Sequence, residues 1–117
     1  MSEARFDELI HPSTRLTLVA TLAAVDWAEF AFLKERVGLS DSALSKQLAT
    51  LEEAGYVRTE RRLSGTRHKL RAGLTARGRT AFDGHIAALR EIVAAAGAPA
   101  VPGADGGGAA RPAAEGF

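Results

Sequence analysis

The stretch VGLSDSALSKQLATLEEAGYV, residues 37–57, decides the fold. Leu44, Leu48 and Leu51 recur at i, i+4 and i+7, so they share one face of a helix and must face a core. At about 100° per residue the opposite face carries Ser42, Lys46, Ala49 and Glu53, with Ser45 and Thr50 at its flanks. Ser40 stands just before this helix, where its hydroxyl can accept from the free N–H groups of the first turn. The helix is expected over roughly Asp41 to Ala54, closed by Gly55. Upstream, Leu33 and Val37 end another helix at Gly38, a residue free to adopt positive φ. Leu39 packs between the two helices. The order Leu33-x3-Val37-Gly38-Leu39-Ser40-x3-Leu44-x3-Leu48 is a helix-turn-helix pattern.

Toward the N-terminus, an apolar lead-in (Phe6, Leu9, Ile10) precedes a helix opened by Pro12 and Ser13. Leu16, Val19, Leu22 and Ala23 are its expected stripe. Asp26-Trp27-Ala28-Glu29 reads as a capping box, which predicts that the next helix starts at Asp26 and buries Trp27, Phe30, Leu33 and Val37. Toward the C-terminus, Tyr56 to Arg62 alternates like a strand. Leu63 to Thr66 is a turn, and His68 to Leu74 returns with Leu70 and Leu74 inward. Thr75 caps a last helix, 76–95, whose stripe is Phe82, Ile86, Leu89 and Val93, widened by His85 and Ile92. The class is mostly α with a small β-hairpin (α+β), folded over residues 1–95. Residues 96–117 hold 8 Ala, 6 Gly and 3 Pro, which predicts a disordered tail.

The chain has 117 residues and a net charge of +1, which hides an uneven distribution. From Tyr56 to Thr80 eight basic residues face one acid, giving +7; elsewhere seven basic residues face thirteen acids, giving −6. A segregated basic stretch is the electrostatic footprint of a phosphate-binding surface. Zero cysteines exclude a disulfide framework, a thiol nucleophile and Cys-based zinc sites. The longest apolar run falls far short of the roughly 20 residues that span a bilayer. The start, Met1-Ser2-Glu3-Ala4-Arg5, has no signal-peptide pattern. The expectation is a cytoplasmic protein with no membrane partner.

A small, polar outer face at a helix start suits entry into a major groove, where Ser45 and Lys46 can reach base edges or backbone. With HPSTRLTLVATLAA (residues 11–24) and LTARGRTAF (residues 74–82), the opening stretch resembles the winged helix-turn-helix regulators of prokaryotes. The likeness is to the small single-domain group near the MarR and ArsR regulators, and it covers about Phe6 to Val93. It implies that the helix from Asp41 to Ala54 reads the major groove. It implies that the hairpin from Tyr56 to Leu74 is the wing, laid on phosphates or into a minor groove. Carried over residue by residue, the DNA-binding set is Ser40, Ser42, Ser45 and Lys46 on the helix, and Arg61, Arg62, Ser64, Arg67, His68 and Lys69 on the wing. Arg15 matches a position often close to phosphate. The partner expected is double-stranded DNA, and the function a sequence-specific transcriptional regulator acting as a repressor by occlusion. A winged-helix protein-interaction module and a non-specific architectural DNA binder are the alternatives.

Asp83-Gly84-His85 resembles the metal-binding pair that some ArsR relatives carry on the last helix. The following turns offer Glu91 and then alanines, short of the three or four ligands a site needs, so neither metal nor cofactor is expected. His85, between Phe82 and Ile86, reads as a packed interfacial histidine. His11, His68 and His85 stand beside no recognisable nucleophile, so no enzyme is expected. The apolar surplus of Phe6, Leu9, Ile10, Phe82, His85, Ile86, Leu89, Ile92 and Val93 predicts an isologous homodimer. The alternative is that Phe6 to Ile10 fold back over the last helix within one chain. A small-molecule effector pocket, if the chain has one, is expected between the first and last helices, lined by apolar residues that also make core.

Overall fold

The computed structural model describes residues 3–97. Residues 98–117, the bulk of the expected tail, lie outside the described residues. The elements run α1 (Ser13–Ala23), β1 (Ala28–Glu29), α2 (Phe30–Val37), α3 (Asp41–Glu53), β2 (Val57–Ser64), β3 (Arg67–Leu74) and α4 (Ala76–Gly97). The three strands form an antiparallel sheet in the order β1-β3-β2.

The helix-turn-helix forms as its residues dictate. Gly38 takes φ 76° and ψ 38°, and its N–H donates to the Lys34 carbonyl at 2.8 Å. That left-handed residue lets the chain reverse between α2 and α3 without a Cβ penalty. Ser40 is extended, and its hydroxyl accepts from the Ala43 N–H at 3.2 Å. Leu44, Leu48 and Leu51 are buried, in one cluster with Leu18, Val19, Leu22, Leu33, Val57, Ala72 and Leu74. The core therefore sits where α1, α2 and α3 meet one face of the sheet. Thr75 caps α4 by accepting from the Gly78 N–H at 2.9 Å, while donating to the Gly55 carbonyl at 2.6 Å.

Three local expectations are corrected. The second helix starts at Phe30, not Asp26, and no side chain caps it. Ala28 and Glu29 are extended and pair with Ala72 and Arg71. The exposed edge of β3 outcompetes a local capping box, because pairing with it offers backbone partners to this segment and buries Ala28. Trp27 is therefore not on a helix; it is half-buried beneath two arginines, Arg58 and Arg71, at 4.7 and 4.1 Å. In α1 the buried positions are Leu18, Val19 and Leu22, whereas Leu16 is only half-buried. The hairpin turn is also tighter than expected: Ser64 pairs with Arg67, leaving only Gly65 and Thr66 in the loop.

Residues 3–11 lie over α4 in the same protomer, with the Arg5 N–H on the Gly84 carbonyl at 2.8 Å. Among the described residues, no helix is long and apolar enough to cross a membrane.

Candidate nucleic-acid interface

Two elements supply the site. The capped start of α3 presents Ser40, Ser42, Ser45 and Lys46, all exposed. Their exposure follows from the helix period: with Leu44, Leu48 and Leu51 turned inward, these positions must turn outward. The hairpin presents Arg61, Arg62, Ser64, Arg67, His68 and Lys69, also exposed. Strand alternation sorts these six. Arg61 pairs with Leu70, and His68 with Leu63, on the face that farther down buries Val57, Ala72 and Leu74. Arg62 pairs with Lys69 and Ser64 with Arg67 on the opposite face. A phosphate backbone meeting the wing edge-on would find a cation on either side.

Helix and wing enclose a groove of about 620 Å³, lined among others by Ser45 of α3, Lys34 of α2, and Arg61, Arg67, His68 and Lys69 of the wing. Ser45 and Arg61 also share a smaller hollow beside Ala49 and Thr59. The structure thus brings together a helix residue and wing residues that are sixteen or more positions apart in sequence.

The basic residues are not equivalent. Arg71 is committed: its guanidinium binds Glu60 at 2.5 Å and stacks on Trp27. Arg58 lies over the Trp27 ring at 4.7 Å and forms no ion pair among the described residues. Arg79 donates to the Ala23 carbonyl at 3.0 Å. Lys69 lies 3.8 Å from Glu29, a loose and exposed pair of little energetic weight. Arg61, Arg62 and Arg67 form no ion pair among the described residues. They are the hairpin cations left for an external anion.

Arg15 is half-buried and bridges elements. Its Nε donates to the Leu9 carbonyl at 2.6 Å, and one terminal nitrogen donates to Gln47 Oε1 of α3 at 3.0 Å. Lys34 and Asp41 escaped the sequence reading. They pair at 2.8 Å across the helix-turn-helix turn, and both line the groove. The available signal was position: Lys34 lies one turn before Gly38, and Asp41 lies directly after the cap.

The residues expected at a dimer interface divide into two groups. Ile10 and His85 have no accessible surface within the single protomer, and Leu9 and Phe82 pack partly against its core. Phe6 is half-covered. Ile86 and Leu89 are half-buried, and Ile92 and Val93 stand 53% and 71% exposed, so an apolar row remains open along the distal half of α4. The Asp83/His85 pair gains no third ligand: among the described residues no cluster of three metal-ligating side chains occurs.

Residues 14–93 match the family described as winged helix DNA-binding domain. An uncharacterised protein of Methanocaldococcus jannaschii is 31% identical over 85 residues, covering 73% of this chain and 92% of that protein. A transcriptional regulator homologue from Pyrococcus horikoshii superposes with a TM-score of 0.72 at 18% identity, over 77% of this chain and 89% of the other. A MarR-family transcriptional regulator from Silicibacter pomeroyi gives 0.57 at 26% identity, over 80% of this chain and 62% of the other.

Proposed function

The chain belongs to the winged helix DNA-binding domain family, and from that premise we propose that it is a sequence-specific regulator of transcription that binds duplex DNA as a homodimer. The observation that carries this reading is the shared groove, in which Ser45 of α3 faces Arg61, Arg67, His68 and Lys69 of the wing. A helix that enters a major groove places the adjoining wing on the flanking backbone. Ser42, Ser45 and Lys46 then read base edges, while Ser40 offers a hydroxyl to phosphate. Arg61, Arg62, Ser64, Arg67, His68 and Lys69 hold backbone or minor groove. Arg15 supports this surface from behind, through Gln47.

Dimerisation is supported by the open row of Ile86, Leu89, Ile92 and Val93 on α4. A two-fold pair would set two copies of α3 about one DNA turn, roughly 34–36 Å, apart and select a near-palindromic site. Repression follows if that site overlaps a promoter, since occupancy alone excludes the polymerase.

The test is a binding titration of the full chain on duplex DNA at several salt concentrations. With about four to six phosphates neutralised per protomer, log affinity falls with log salt at about −0.9 per phosphate. Substituting Arg67→Ala lowers affinity for every sequence and flattens that slope. Substituting Ser45→Ala or Lys46→Ala also changes which sequence is preferred. Salt-independent binding, or binding of an acidic protein without DNA, refutes the proposal.

A further inference from the structure

Residues 3–11 lack regular secondary structure, yet they are pinned at every second or third position. The Arg5 N–H donates to the Gly84 carbonyl at 2.8 Å, and the Asp7 N–H to Nδ1 of His85 at 2.9 Å. The Asp7 carboxylate accepts from the Leu9 and Ile10 N–H groups at 2.9 and 3.2 Å. Its other oxygen accepts from the Tyr56 hydroxyl at 2.6 Å. Ile10 is fully buried, and the Phe6 ring lies 4.7 Å from the rings of both His11 and His85. The segment therefore ties the middle of α4 to Tyr56, which directly precedes the first strand of the wing.

His85 is the keystone, and nothing in the DNA-binding reading uses it. It has no accessible surface, and its Nδ1 accepts a hydrogen bond, so that nitrogen carries no proton. The single ring proton belongs on Nε2, which lies 3.3 Å from Nδ1 of His11. A second proton would have to enter Nδ1, where it would confront the Asp7 N–H donor to donor. The titratable groups that act on His85 all come from the segment itself. Burial, first, and the neighbouring His11 oppose its charge, while Asp7 and Glu8 favour it; the outcome lies below the ordinary value of 6.5.

We propose that residues 3–11 are a strap that opens when His85 takes up a second proton, releasing α4 from the base of the wing. The closed strap disfavours the proton and the open one does not. Closure is therefore fully supported above the ordinary histidine value of 6.5 and weakens as pH falls below it toward the depressed closed-state value.

Amide hydrogen exchange of the full chain, corrected for intrinsic rates and resolved by NMR, tests this at about pH 7.5 and about pH 5.5. The amides of Arg5 and Asp7 lose protection several-fold at the lower pH, to a ceiling of about tenfold one unit below the ordinary value. Those of Leu48 and Leu51 in α3 keep theirs. In His85→Asn, whose amide oxygen can sit where Nδ1 sits without titrating, the loss disappears. His11→Ala, at an exposed position, removes an opposing charge, brings the closed-state value nearer the ordinary one and so shrinks the loss of protection. Strap protection that does not change with pH overturns the proposal. So does an equal loss throughout α3, or a loss that His11→Ala leaves undiminished.

Discussion

Arg58, Arg61, Arg62, Arg67 and Arg71 share one hairpin but have different fates. Arg58 and Arg71 flank Trp27, and Arg71 also holds Glu60. An arginine stacked on a tryptophan is worth about 0.5–2 kcal/mol, so Arg58→Ala should lower stability by that order and weaken DNA binding less than Arg61→Ala or Arg67→Ala. Chemical denaturation and a DNA titration on the same three variants check both halves. The +7 of this region was legible from composition along the chain, and so was the alternation that puts Arg61 and Arg62 on opposite faces. What was not legible is which cations are already occupied. Trp27 lies some thirty residues upstream, and only the pairing of β1 with β3 brings it under the hairpin. Gly78 belongs to the same scale. A Cβ there would overlap the Tyr56 backbone, which cannot rotate away as a side chain would. Gly78→Ala should cost about 1–3 kcal/mol or more, read from a urea midpoint.

Elements were legible in proportion to how locally they are determined. α3 was read nearly to its ends, because a leucine face, a serine cap and a closing glycine are all encoded within sixteen residues. Leu48→Ala should remove about 2–5 kcal/mol from such a buried position. β1 was missed because two residues become a strand only when another strand offers them an edge. The contrast yields a comparison. Ser40→Ala removes an observed cap and should cost about 1 kcal/mol, whereas Asp26→Ala removes only an expected one and should cost less. Melting temperatures of the two variants, side by side, decide between the capping box and the strand. The N-terminal segment was similarly ambiguous. Its apolar residues fit either a second copy or the chain's own last helix, and Asp7, whose hydrogen bonds anchor the fold-back, has no pattern to announce it.

Among the described residues, the unpaired hairpin cations and the open apolar row of α4 stand on different elements. The hairpin cations gather with the start of α3 around the groove, and the open apolar row lies on the distal half of α4. That separation lets one surface meet DNA while another meets a second protomer. Replacing both Ile92 and Val93 by Glu puts charges on the exposed row without touching the core. Native mass measurement should then find monomers where the parent chain gives dimers, and affinity for a two-half-site duplex should fall toward that for a single half-site. A parent chain that is monomeric at micromolar concentration removes the dimer while leaving the groove as described.

Sequence-specific DNA binding by α3 and the wing together is the role proposed for this protein. Its most direct measurement is selection from a pool of random duplexes with the full chain, followed by titration of the enriched duplex and a shuffled one. An enriched motif with two-fold symmetry is expected. Binding to that motif should be tighter than to the shuffled control, and both affinities should be lost when Arg61, Arg62, Arg67 and Lys69 are neutralised together. A pool that enriches nothing, or equal affinity for the two duplexes, would contradict that role.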